Sequence, residues 1–170
     1  MAGTTLITDP NSAYKAVTDW RLFRDANGLP IEYGKGDMYT ARANATVSKG
    51  DALEHVVPTA AIPYSVQRMA VASGIHLFAG VALNSAVAGG TVNFMHSGFF
   101  IVSTDDSDTP AFGQVLLKPD ATAGQFATAA AAATLQNVLG TVLGAEEGGA
   151  GVRQAPAFVN PACGISNAAS

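Results

Sequence analysis

The feature that most constrains this chain is a phrase that occurs twice. "GVALNSAVAGGTV", Gly80 to Val92, aligns without a gap on "GTVLGAEEGGAGV", Gly140 to Val152. Gly80 falls on Gly140, Leu83 on Leu143, Gly89 on Gly149 and Val92 on Val152. A second matched stretch precedes each copy: "KGDALEH" resembles "FGQVLLK", with Gly50 on Gly113 and Leu53 on Leu116. Each unit thus reads Gly-x-x-Leu, a variable connection, Gly-x-x-Leu, a glycine-rich turn and a strand. The offset of about sixty residues exceeds the usual solenoid periods, and two copies are too few for a stacked array. Two such units facing each other predict a small closed barrel or sandwich with two pseudo-equivalent halves, because closure removes exposed strand edges.

Short apolar runs between turn signals support an all-β reading. "TARANATV", "KGDALEHVV", "QRMAVASG" and "HLFAGVAL" read as strands. In "GTVNFMHSGFFIVST", Val92, Phe94 and His96 alternate with Asn93, Met95 and Ser97, and a continuous apolar run follows Gly98. A glycine there predicts a bulge or a close backbone approach. The glycine pairs are assigned to turns that need positive φ. "FATAAAAATLQN" is open between a short helix and a closely packed small-residue strand, since alanine favours helix but a helix this short is marginal alone. "QAPAFVNP" reads as a last strand ending at Pro161.

The first 45 residues differ. They hold Tyr14, Trp20, Phe23, Tyr33 and Tyr39, five of the thirteen aromatics, among the turn signals "DPN", "NGLP" and "GKGD". "SAYKAVTDWRLFRDA" fits a short helix with Ser12 as N-cap and Ala16, Trp20 and Phe23 on one face, or an extended arm. The predicted organisation is therefore an N-terminal arm over 1–45, a β-barrel domain over 46–160 and a flexible C-terminal tail over 161–170. Aromatic residues and arginine are enriched at binding hot spots. Tyr14, Trp20, Arg21, Phe23 and Arg24 are accordingly the candidate interface residues, with folding back onto the chain's own core as the competing reading.

Composition narrows the function. Charged residues make up 13% of the 170 residues, against about 25% in an ordinary soluble domain. A hydroxyl-rich β surface accounts for this, as does coverage by neighbours. The net charge is −4, six of the nine basic residues lie in the first 49 positions, and no cation occurs between Arg68 and Lys118. A nucleic-acid binder needs a basic face, so none is expected as a partner. Cys163 is the sole cysteine and forms no intramolecular disulfide. The start "MAGTTLITDPNSAYK" has neither the charged nor the apolar region of a signal peptide. Apolar segments are short and interrupted, which argues against a membrane span. A protein made and used without secretion is expected.

No catalytic constellation emerges. His55, His76 and His96 lie 21 and 20 residues apart, without closely spaced ligand pairs. "TDDSDTP" (Asp105, Asp106, Asp108) lacks calcium-loop spacing and reads as a solvated hairpin tip. "GGAGV" lacks the lysine of a phosphate loop, and no GxSxG element occurs. Glu146 and Glu147 are adjacent, so a strand would point them to opposite faces. The expectation is no enzyme, no cofactor and no metal.

The order of "VSKGDALEHV", "HLFAGVALNSAVAGGTVNFMHSGFFIV", "FGQVLLKPDATAGQF" and "VLGTVLGAEEGGAGVRQAPAFV" resembles the capsid cement (decoration) proteins of tailed bacteriophages. Gly50, Asp51, Gly80, Val81, Ala82, Leu83, Gly89 and Val92 match the first part of that pattern, Gly98 and Phe99 the next, and Leu139, Gly140 and Leu143 the last. The resemblance spans Val47 to Val159 and leaves out the first 45 residues and the alanine run. It implies a small β-barrel that trimerises on the outside of an icosahedral shell and clamps neighbouring major capsid proteins, without catalysis. It places the protein in the virion, on the capsid exterior, after synthesis in the host cytoplasm. Competing readings are a tail or fibre module or a host-surface-binding β-domain, and, further off, a small hydrolase using the acidic loop.

Overall fold

The computed structural model describes residues 33–35, 38–58, 64–105, 108–130, 137–145 and 153–161. The described residues form eleven strands and a single 3-10 turn, Ile75–Leu77. The strands are β1 (Tyr33–Lys35), β2 (Tyr39–Ala43), β3 (Ala52–Val56), β4 (Ser65–Arg68), β5 (Phe78–Ala82), β6 (Thr91–Met95), β7 (Ser97–Ser103), β8 (Val115–Leu117), β9 (Ala127–Ala129), β10 (Val138–Val142) and β11 (Gln154–Val159). The all-β expectation holds.

Strands β2 to β6 close a barrel in the order β2-β4-β3-β5-β6, with β2 parallel to β4 and antiparallel to β6. The second sheet runs β1-β7-β11-β10-β8-β9. From β7 onward it repeats the barrel strand for strand: β7 stands for β2, β8 for β3, β9 for β4, β10 for β5 and β11 for β6. Its fifth contact is reduced to one parallel bridge, Thr104 to Phe126, where the first half has the β2–β4 pair.

Individual bonds fix the equivalence. Gly50 N donates to Ala82 O at 2.8 Å, and Gly113 N to Val142 O at 2.9 Å. Leu83 N donates to Asn93 O, and Leu143 N to Pro156 O, both at 2.8 Å. Ser48 N donates to the Asp51 carboxylate at 2.8 Å, and Ala111 N to the Gln114 amide oxygen at 2.9 Å. Leu53 faces Gly80 and Leu116 faces Gly140, each beside a register shift that leaves Ala79 and Leu139 as extra residues. The same bulge therefore bends the same strand in both halves.

One part of the gapless sequence alignment needs correction. It holds from Gly80/Gly140 to Leu83/Leu143, but Val92 corresponds to Ala155 rather than Val152. The pairing decides this, because Ala41 faces Val92 and its counterpart Val102 faces Ala155. Three extra residues lie before the second copy of the strand. "QRMAVASG" is also not one strand: β4 ends at Arg68, and a turn and the 3-10 segment follow. Ala127–Ala129 is strand, while 131–136 of the alanine-rich segment lie outside the described residues. The β structure begins ahead of residue 46, since β1 pairs with β7 and β2 completes the barrel.

Two apolar clusters explain the packing. The first barrel is filled by Ala41, Ala43, Val47, Leu53, Val66, Ala79, Ala82, Val92 and Phe94. The other cluster joins the second half's interior, including Val102, Leu116, Phe126, Leu139 and Val142, to Ala52, Met69, Phe78 and Val81 from the outer side of the first barrel. Strand β5 is therefore buried along its whole length, one side facing each cluster. Fully burying side chains of this size stabilises by about 1.5–3 kcal/mol each.

Candidate docking surface

The joint between the halves is built by the "KGDA" turn. Gly50 has φ +88° and lies so close to β7 that an added Cβ would sit 2.9 Å from Ile101 O. Its carbonyl accepts from Ser103 N at 2.9 Å. Ala52 N donates to Gly124 O at 2.8 Å, and Gly124 N to Met69 O at 2.9 Å. The first half thus wedges a backbone segment into the gap between β7 and the approach to β9. Lys118 Nζ donates to Val71 O at 2.6 Å across the same joint.

Charge at this joint serves structure. Asp51 is buried, and its Oδ2 lies 3.1 Å from Arg68 Nε. Burial pushes the Asp51 carboxyl above its usual range, against the opposing pull of the Ser48 N–H, the Arg68 guanidinium and the Ser103 hydroxyl. Glu54 accepts from Gln67 Nε2 at 2.8 Å and from Ala70 N at 3.2 Å. The acidic loop is not a free hairpin tip, since β7 and β8 are not sheet neighbours. Asp105 is buried, the Asp108 carboxylate accepts from Thr128 N, and Arg153 donates to Asp108 O.

The histidines are dispersed. His76 lies in the 3-10 turn, and His96 Nδ1 is 3.1 Å from Ala79 O. His55 Nδ1 is 3.0 Å from the Tyr64 hydroxyl, which donates when Nδ1 carries no proton. Burial, then His96, lowers the His55 pKa; burial, then Tyr39, raises that of Tyr64. Among the described residues, no three His, Cys, Asp or Glu side chains group as metal ligands, and no helix is long and apolar enough to cross a membrane.

The surface feature that stands out is the open end of the first barrel. Met38 precedes β2, Tyr39 starts it, Val57 follows β3, and Tyr64 precedes β4. All four are exposed, and the Tyr39 ring stacks on Phe94 with centroids 5.7 Å apart. Sequence reasoning placed Tyr39 in the arm and did not single out this end. The usable signal is strand phase: Tyr39 sits in register with Ala41 and Ala43 of the barrel interior. The residues singled out from sequence, Tyr14, Trp20, Arg21, Phe23 and Arg24, lie outside the described residues.

No protein-family model matches the chain, and no curated protein matches it. Among solved structures, the N base of the head fiber gp8.5 of bacteriophage phi29 matches with a TM-score of 0.53 and 15% identity, covering 74% of this chain and 94% of that one. At that identity the likeness is one of fold.

Proposed function

We propose that this protein is a structural component of a phage virion that attaches to the outside of the capsid as a decoration protein, clamping neighbouring major capsid proteins. The observation that carries this reading is the fold likeness to a phage head-fiber base. It agrees with the cement-protein resemblance between Val47 and Val159. The buried Asp51 and Glu54 carboxylates are spent on structural bonds, which favours a binding role over catalysis. Each subunit would bury a modest area, and a closed homo-oligomer, a trimer in this reading, would turn several weak contacts into avidity. The major capsid protein is the partner, with no nucleic acid and no membrane involved.

A second reading, the base of a head fiber, is favoured by the same structural likeness. Copy number separates the two. Quantitative staining of purified particles gives the ratio of this protein to the major capsid protein. A ratio near one supports a cement; a few copies per particle support a fiber base. Absence from purified particles overturns both.

A further inference from the structure

The joint between the halves is heterologous: unlike faces of two like units meet. The first half contributes an outer face, Gly50, Ala52, Met69 and Phe78. The second contributes its barrel end, Phe100, Gly124 and Val159. Because the halves are equivalent, each face has a counterpart outside the joint. The strand registers identify them. The outer-face counterparts on the second half are the exposed Gly113, the half-buried Val115 and Ala129 and the buried Val138, flanked by the exposed Thr141. The barrel-end counterparts are Tyr39, Tyr64 and His96 on the first.

Exposure follows this mapping. Phe100 is 3% exposed, while Tyr39 is 51% exposed. The Gly50 turn is wedged against β7, whereas an added Cβ at Gly113 meets nothing within 4 Å. Beside it, Phe112 is 77% exposed. Among the described residues, the other large exposed hydrophobics are Met38, Tyr39, Val57 and Tyr64 at the barrel end and Val87 between β5 and β6.

Side-chain volume is exchanged between the faces. In the internal joint the outer face is bulky and the barrel end slim. Arg68 packs on Gly124, where an added Cβ would lie 2.8 Å from Arg68 Nε. Met69 and Phe78 pack in the same cluster as Ala157. On the faces outside the joint the bulk is reversed. The outer face carries the half-buried Thr128 and Ala129 where the joint has Arg68 and Met69. The barrel end carries the exposed Tyr64 where the joint has Gly124. A bulky end and a slim outer face fit each other as the internal pair does.

We propose that a second copy of this chain covers the open barrel end, laying the outer face of its β8 and β9 over Tyr39 and Tyr64, so that copies join head to tail. Such contacts generate a ring when the rotation closes and a filament when it does not. The proposal rests on the homo-oligomer of the proposed function and names its interface; its failure removes that oligomer and leaves attachment of the single subunit to the capsid standing.

The test uses the purified full chain, without capsids, and two surface variants, Tyr64→Asp at the barrel end and Thr141→Arg on the outer face. Both positions are exposed, so both variants should keep the wild-type melt. Phe112→Asp and Tyr39→Asp replace either one that does not. Sedimentation velocity over a dilution series should show a wild-type oligomer and two monomeric variants. An equimolar mixture of the variants retains one intact barrel end and one intact outer face, and should form a one-to-one heterodimer. A monomeric wild type overturns the proposal. So does an oligomer insensitive to either variant, one lost with only one of them, or a mixture that stays monomeric.

Discussion

Gly80 and Gly140 occupy the same place in the two halves, and each is pressed against the backbone of the next strand. A Cβ on Gly80 would lie 2.3 Å from Met95 O, and one on Gly140 would lie 2.0 Å from Phe158 O. Real carbon–oxygen contacts do not approach so closely, so either substitution must push β6 from β5 or β11 from β10. Gly80→Ala and Gly140→Ala should each cost about 3 kcal/mol or more, the upper end of overpacking effects. Gly113→Ala is the control. It has φ +85° but open space around it, so only backbone strain of about 1–2 kcal/mol applies. Urea midpoints of the three variants should fall in that order.

The joint gives a second prediction. Phe78 leaves the first half to pack in the second half's cluster, with its ring 6.3 Å and edge-on from Phe126. Phe78→Ala should cost about 3–5 kcal/mol, the range for a truncated core phenylalanine. Phe78→Leu should recover much of that. A loss below about 1 kcal/mol in chemical denaturation would show that the halves do not depend on this contact.

The duplication was legible because backbone geometry fixed it. Gly50, Gly80, Gly113 and Gly140 sit where a side chain is strained or blocked, and Leu53 and Leu116 fill equivalent core positions. Such positions tolerate few residues, so spacing alone revealed them. The shifted register of the last strand was not legible, since the glycine-rich stretch before it is three residues longer in the second copy. Pro156 shows another limit. A proline in a strand flanked on both sides reads as a breaker. Its counterpart Asn93 explains the exception. That N–H is outside the ladder and donates to the Asn84 side chain at 2.8 Å. The second half has Gly144 in place of Asn84 and a proline with no N–H to satisfy. The exposed barrel end was illegible for a different reason: exposure depends on what the other half covers.

That comparison yields a third prediction. Asn84→Ala removes the acceptor for Asn93 N and the Nδ2 donor to Thr91 O, 3.1 Å away. It should cost about 1–2 kcal/mol, the penalty of an orphaned, partly buried donor. Adding Asn93→Pro, the second half's solution, removes the orphan and should recover part of the loss. A double variant less stable than the single one would show that β6 does not accept the proline geometry.

Asp51 and His55 predict opposite pH effects. The Asp51 pKa is raised from 3.8 by burial. Protonation therefore favours the fold, and its stabilising effect is complete below 3.8 and absent above the raised value. The His55 pKa is lowered from 6.5, again by burial first. Its contribution is present above 6.5 and is lost as pH falls through the lowered value. Relative to Asp51→Asn, the wild type should gain stability on acidification. Relative to His55→Gln, it should lose stability over the higher window. Urea midpoints of each pair across pH check the signs, and the reverse sign in either pair refutes that assignment.

The last prediction separates folding from attachment. The aromatic and basic cluster Trp20, Arg21, Phe23 and Arg24, with Tyr14, has hot-spot composition. The described strands begin at Tyr33. A deletion through residue 32 thus keeps β1, which pairs with β7, and β2, which completes the barrel. A deletion of 40 residues would remove β1 and Tyr39, which stacks on Phe94, and would confuse lost folding with lost attachment. Truncation at 32 should leave the cooperative melt unchanged and abolish coating of undecorated capsids. Trp20→Ala and Phe23→Ala in the full chain should each weaken coating by about 2 kcal/mol or more if they anchor the shell. If truncation instead removes the cooperative melt, the segment belongs to the core. If it leaves both melt and coating intact, attachment runs through the barrel, and the exposed Tyr39 and Tyr64 become the residues to test.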